Sequence, residues 1–287
     1  MTMPKIGPYT LHAIETGRFR LDGGAMFGIV PKPLWERYAP ADARNRIVLN
    51  MRCLLLESSN RLVLIDNGLG DAFDAKFQDL YAVDYEYAEL HRSLQALGFS
   101  AADVTDVVLT HLHFDHCGGS TRQGRDRQEI AFPNATFYVQ ERHWSWARRP
   151  HLRERASFLQ EKLSVLEASG QLQLLKGPGE VLPGVFVEVV NGHTEAQQLV
   201  RITGPEGTLV FVADLIPTAV HVRPLWNMGY DIRPLVTIEE KLAFLEQAAA
   251  QGWQLFFEHD PEIAVVSLQH SEQGIVAVHP RSLEEVF

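Results

Sequence analysis

Apolar positions along this chain either alternate with polar ones or gather in short blocks. Tyr9–Ile14, Ile47–Glu57 and Leu62–Ile65 read as strands, the last closing on the turn residues Asp66-Asn67-Gly68. The period changes between Asp84 and Leu97. Here Tyr85, Leu90, Leu94 and Leu97 fall near helical spacing, and Gly98 supplies a stop, so a helix is expected. Thr105–Thr110 is a short apolar strand of buried type that runs straight into His111. Strands follow at Thr136–Val139 and Val185–Val190, with a helix from about Leu152 to Ala168 between them. Leu199–Ile202 and Leu209–Val212 read as strands and Ile238–Ala250 as a further helix. The chain then reads as strands at Trp253–Phe257, Ala264–Leu268 and Ile275–Val278, followed by a short helix. Strands precede helices in both halves, an order satisfied by two sheets face to face with helices outside. No repeat or Pro/Gly-rich linker interrupts the pattern, so residues 1–287 are expected to form one domain.

Composition narrows the classes. Of 287 residues, 46% are hydrophobic and 22% charged, which is a folded, water-soluble balance with a substantial core. The 26 basic and 36 acidic side chains give a net charge of −10, which argues against a nucleic-acid partner and against a nuclease. No apolar run approaches the roughly 20 residues of a membrane helix, so no membrane partner is expected. The opening MTMPKIGPYT lacks a signal-peptide pattern, and two cysteines suit a reducing compartment; a cytoplasmic location is expected.

Twelve histidines are the unusual feature. Three of them lie in His111-Leu112-His113-Phe114-Asp115-His116, immediately after a buried strand. Imidazole nitrogens and a carboxylate gathered in one loop suit a metal ion. Strand-like alternation sends His111 and His113 the same way, while Asp115 and His116 can turn toward a neighbouring ion. Without a metal, such a loop would press ionisable groups together at real cost.

The pattern resembles the signature H-x-H-x-D-H of the metallo-β-lactamase superfamily, and four further landmarks of that family occur in order. They are Asp66, His193 in Gly192-His193-Thr194, Asp214, and His259, each after a predicted strand. The resemblance implies an α/β fold, the four-layer αββα sandwich. It also implies two divalent metal ions, zinc in the first place, with iron, cobalt or manganese acceptable to the same donors. One ion would be held by His111, His113 and His193. The other would be held by Asp115, His116 and His259, with Asp214 bridging. Asp66 is read as an acceptor that fixes a ligand imidazole, or else as a plain turn residue. Cys117 adjoins His116, but the ligand set is complete without it and buried packing is the reading adopted. The superfamily's flavodiiron oxygen reductases carry a glutamate where His113 stands here, which disfavours redox chemistry.

A closer resemblance covers nearly the whole chain. LDGGAMFGIVPKPLW (Leu21–Trp35), Asn45-Arg46-Ile47, THLHFDH, FPNATFYV, ADLIPT and FFEHDPE look like the YtnP-type lactonases, and like the methyl parathion hydrolase branch. That branch implies opening of a lactone, an N-acyl-homoserine lactone above all, by a metal-bridging hydroxide, and hence quorum quenching. The alternatives are a phosphotriesterase or arylesterase with lactonase side activity and, in another class, a non-catalytic metal-binding sensor. No G-x-S-x-G elbow supplies a protein nucleophile. Asp115 or Asp214 could shuttle the proton.

Substrate contacts are expected from two apolar stretches. Residues 21–40 are too irregular for a helix or strand and are expected as a loop near the active-site mouth. Its Met26, Phe27 and Trp35 either face a small-molecule ester or lactone or dock the loop on the core. A homodimer is the other use for that surface. Trp226, Met228 and Tyr230 either line an acyl pocket or pack. His221, seven residues after Asp214, either hydrogen-bonds the substrate as a catalytic group or lies on the surface. Other lactonase branches place a tyrosine about three residues after the bridging aspartate; Ile216 and Pro217 occupy that region here.

Overall fold

A computed structural model describes residues 3–71, 73–272 and 274–286. The chain divides into two compact units. One gathers Met1–Pro8, Arg20–Asn50 and Pro178–Phe287, and the other Tyr9–Phe19 and Met51–Gly177. Two of the four crossings from unit to unit fall inside long strands, after Phe19 in Tyr9–Asp22 and after Asn50 in Arg46–Glu57.

In the second unit, Leu62–Ile65 pairs antiparallel with the end of Arg46–Glu57 (Leu54 opposite Ile65). It pairs parallel with Asp106–Val108 (Ile65 opposite Val108). Thr136–Gln140 and Leu172–Leu175 continue the sheet in parallel. Alternation decides the faces. Cys53, Leu55, Leu62, Leu64, Val107, Leu109, Phe137 and Val139 share one core with Leu90 and Leu94, Trp144 and Ala147, and Leu163 and Leu166. Those three pairs come from the helices Leu90–Ala96, Glu141–Arg148 and Gln160–Ala168. Parallel strands end on the same side of a sheet, so Asp66 and the loop from Thr110 to His116 emerge side by side.

The first unit holds a seven-stranded sheet, in order Gly179–Leu182, Val185–Val190, Gln197–Gly204, Gly207–Phe211, Gln254–Phe256, Val265–Ser271 and Gly274–Arg281. All neighbours are antiparallel except Gly207–Phe211 with Gln254–Phe256. That parallel pair delivers Asp214 and His259 to one edge of the sheet, just past Phe211 and Phe256. Val185–Val190 runs the same way, two antiparallel steps off, and delivers His193 there too. Phe244, Leu245 and Ala248 of the helix Pro234–Ala250 pack on Leu199, Val210 and Leu255.

Both expected sheets are present, and several elements differ from expectation. The segment 21–40 is not a plain loop. Asp22 caps a short helix Gly23–Phe27 by accepting from Ala25 N at 2.8 Å, and a second, Lys32–Trp35, follows Pro31. The expected helix from Asp84 begins at Leu90, because Glu89 takes the N-cap and Asp84 pairs through its backbone with Arg18. The helix expected from Leu152 starts at Gln160. Helices Ala75–Tyr81 and Glu141–Arg148 and strands Leu172–Leu175 and Gly179–Leu182 were not anticipated.

Candidate metal centre

Each unit carries its own set of donors. In the unit holding the HLHFDH turn, Asp66 is fully buried, with a left-handed backbone (φ 54) that Asp tolerates. Its carboxylate accepts from Thr110 N at 2.7 Å, from the Thr110 hydroxyl at 2.6 Å and from His116 Nδ1 at 3.0 Å. Having donated to Asp66, the Thr110 oxygen accepts from His111 Nδ1 at 3.1 Å. His113 Nε2 lies 3.3 Å from Glu154 Oε2. Three imidazoles therefore each spend one nitrogen, as donor, on the protein. The other nitrogens converge: His111 Nε2 and His113 Nδ1 are 3.1 Å apart, and His116 Nε2 faces Asp115 Oδ2 at 3.9 Å.

The other unit repeats the arrangement. His193 Nδ1 donates to Asp231 Oδ1 at 3.0 Å, and His259 Nδ1 to the Asn50 carbonyl at 2.8 Å. Their Nε2 atoms face opposite oxygens of one carboxylate, Asp214 Oδ2 and Oδ1, each at 3.2 Å. Ala213, before Asp214, takes a left-handed backbone (φ 43) that turns the chain out of its strand. The loop before His193 is pinned by the helix Pro234–Ala250, whose Glu240 accepts from Asn191 N at 2.7 Å and Gly192 N at 2.9 Å. Gly192 is required there, because a Cβ would stand 2.3 Å from the Thr237 hydroxyl and 2.4 Å from its backbone nitrogen.

The proton accounting tests whether a metal fits. With Nδ1 or Nε2 committed as a donor, the opposite nitrogen of a neutral imidazole carries only a lone pair. His111 faces His113, His193 faces Asp214 and His259 faces Asp214 as acceptor against acceptor, at 3.1–3.2 Å in buried surroundings. Such contacts are repulsive unless a positive charge sits among them, which is what a divalent cation provides. Asp66, Asp115, Glu154, Asp214 and Asp231 are all buried as well, a further excess of negative charge. The donor sets fit metal ions.

The remaining expected residues fall elsewhere. His221 is fully buried, which overturns the surface reading. Its Nδ1 meets the Thr218 hydroxyl at 2.7 Å, its Nε2 meets the Met26 carbonyl at 2.9 Å, and its ring stacks on Phe27 at 4.8 Å. Burial first, then the nearby Lys241, lowers its pKa to about 3, so the ring is neutral. Phe27 is in turn stacked on Trp35 at 5.2 Å and meets Trp226 edge-on at 5.7 Å. Met26, Phe27, Trp35 and Met228 are buried, Trp226 is half-buried and Tyr230 is exposed. Lys241, buried on the long helix, donates to the Trp226 carbonyl at 2.9 Å, and burial pushes its pKa down to about 8. Cys117 sits in the core and burial pushes its thiol up to about 12, in keeping with packing.

Three features escaped the sequence reading. Glu154 and Asp231 hold the imidazoles of His113 and His193 from 41 and 38 residues away, with no motif to mark them. A cavity of about 450 Å³ lies in the unit of the HLHFDH turn, walled by Phe73, Phe77 and Phe158 with Arg155 and Lys162 at its polar side. Phe77 meets Phe114 edge-on at 5.3 Å and Phe158 lies 4.9 Å from the His113 ring, so two walls touch that turn. The signal available was the i, i+4 spacing of Phe73 and Phe77 at a helix start.

Comparison with known proteins agrees with this chemistry. The family model described as the metallo-beta-lactamase superfamily matches residues 49–259. The N-acyl homoserine lactonase AiiA of Bacillus thuringiensis subsp. kurstaki is 24% identical over 221 residues, covering 73% of this chain and 81% of the relative. The crystal structure of a probable metal-dependent hydrolase from Staphylococcus aureus superposes with a TM-score of 0.86 at 28% identity, over 97% of this chain and 100% of the other. AidC, a dizinc quorum-quenching lactonase solved with a product, N-hexanoyl-L-homoserine, gives 0.80 at 21% identity, over 98% and 97%.

Proposed function

This chain belongs to the metallo-beta-lactamase superfamily, and from that premise we propose that it is a dinuclear metal-dependent hydrolase that opens lactones, N-acyl-homoserine lactones in particular. The observation that carries the reading is the hydrogen bonding of five imidazoles, each of which commits one nitrogen to a protein acceptor and so keeps a lone pair on the other. His111, His113 and His193 would hold one ion and Asp115, His116 and His259 the second, and Asp214, whose two oxygens face His193 and His259, would serve both. Bound there, two divalent ions supply an activated water and a Lewis-acid hold on the ester carbonyl. Asp115 and Asp214 are the carboxylates available to take the proton and return it to the leaving alkoxide. The cavity at Phe73, Phe77 and Phe158, whose wall also carries Asp74, Arg155, Glu161 and Lys162, offers a mixed apolar and polar surface, and two of its aromatic walls touch the turn of His113 and Phe114. Trp226 and Tyr230 offer further contact surface. Met26, Phe27, Trp35 and Met228 support it from beneath, and His221 holds that layer through the Met26 carbonyl rather than touching substrate. The lactonases among the proteins similar to this chain support the same substrate class.

The test is kcat/KM of metal-reconstituted enzyme on a long-chain N-acyl-homoserine lactone and on an aryl phosphotriester, with His116→Ala as the blank. A lactone preference that vanishes in the blank is expected. Preference for the triester would replace the substrate while keeping the centre, and metal binding with turnover of neither would leave a sensor.

A further inference from the structure

We propose that Glu154 is a positioning residue for the metal centre: its carboxylate, clamped by Trp146, sets which nitrogen of His113 is presented to metal and at what angle. The inference rests on the reading of His113 as a ligand. Glu154 belongs to neither sheet. It precedes the short turn Arg155–Ser157, is 5% exposed, and is fixed through its backbone by Glu154 N to His151 O at 3.2 Å and Ser157 N to Glu154 O at 2.9 Å. Oε2 faces His113 Nε2 at 3.3 Å, and Oε1 accepts the indole N–H of Trp146 from the helix Glu141–Arg148. A buried carboxylate is costly unless its lone pairs are filled, and two N–H donors fill them from opposite sides.

His113 is the odd member of its set. The nitrogen opposite the protein acceptor is Nε2 on His111, His116, His193 and His259 but Nδ1 on His113, the nitrogen nearer the backbone. A free imidazole favours neither arrangement by much, so an acceptor on Nε2 must hold the proton there. Glu154 is that acceptor. Phe158, four residues on, packs on the same ring at 4.9 Å, and His143, whose Nε2 accepts from Leu112 N at 2.8 Å, lies behind Phe158. One segment therefore grips His113 by edge and face.

The experiment titrates metal-free full-length protein with zinc against a chelating indicator, and with cobalt(II) followed by its visible spectrum. The variants are Glu154→Ala, Glu154→Gln, and Glu154→Gln combined with Trp146→Phe. The wild type is expected to take two ions. Glu154→Ala should weaken one ion by about 10–100-fold, leave the other in place and alter one cobalt band set. An amide has one acceptor for two donors, so Glu154→Gln alone should recover part of the loss. Removing the indole N–H as well should bring affinity to within a few-fold of wild type. Glu154→Ala with both ions at wild-type affinity would overturn the proposal while the metal reading stood. A wild type that binds no ion would remove the metal reading itself. Should Glu154→Ala fail to fold, the double variant decides, since absence of recovery there overturns the proposal too.

Discussion

At the scale of single residues, His221 is the clearest case of a ring whose charge state is set by burial. Its pKa falls from 6.5 to about 3, first because the ring is buried and then because Lys241 lies near, and the hydrogen bond to the Met26 carbonyl only partly offsets this. Above pH 6.5 the ring is neutral folded or unfolded and carries no penalty. As pH falls from 6.5 toward 3 the unfolded chain takes up a proton that the folded chain resists, and stability drains away through that window. Denaturant unfolding of metal-free His221→Phe should therefore lose stability less steeply than metal-free wild type between pH 6.5 and 4.5. Parallel curves would show that the ring accepts its proton in place. The sequence placed this histidine on the right stretch and left its neighbours open, because its partner Met26 lies 195 residues away. The candidate metal donors stood out in the sequence for the opposite reason: four of the seven sit within six positions. Glu154 and Asp231 did not, since a lone carboxylate announces nothing until its imidazole is beside it.

At the scale of elements, strands were read better than helices, and the cause is local. Leu62–Ile65 is a dense apolar run between turn residues, and it is observed with those bounds. Glu141–Arg148 begins directly after a strand with no side-chain cap, so no start signal separates the two. Gly118-Gly119 follow the HLHFDH turn, and the structure shows what the pair is for. A Cβ on Gly118 would stand 2.1 Å from the Leu69 carbonyl oxygen, and one on Gly119 2.2 Å from that of Asn67. Two backbones, one following Asp66 and one following His116, lie against each other with no side chain able to yield. Gly119→Ala should destabilise by about 3 kcal/mol, at the upper end of what overpacking costs. It should also disturb the His116–Asp66 pair, whose two segments it pries apart. Denaturant unfolding reads the first effect and zinc titration the second. A loss below about 1 kcal/mol would mean that the loops slide apart freely, well under the overpacking range.

At the scale of the whole molecule, the net charge of −10 argued against a nucleic-acid partner in the sequence reading, and the structure shows where some of the acidity is spent. Asp66, Asp115, Glu154, Asp214 and Asp231 are buried, several of them directly beside histidines. No helix among the described residues is long and apolar enough to cross a membrane. Metal binding to the folded chain alone adds stability of about 2.7 kcal/mol for each site at a hundredfold excess over Kd. Chelation should therefore lower Tm by at least about 5 °C for a chain of this size, and re-added zinc should restore it; a Tm indifferent to chelator would speak against the centre. The discontinuous units carry one more consequence. A break between Gly177 and Pro178 would give a carboxy-terminal piece with all seven strands of the second sheet and with His193, Asp214 and His259, yet without Asn50, Met26 and Phe27. Its His259 and His221 would lose the carbonyls that orient them, and the amino-terminal piece would keep Asn50 and Met26 with nothing to receive. Neither half could be active alone, so the enzyme is a natural candidate for a two-fragment reporter, silent until the pieces are brought together.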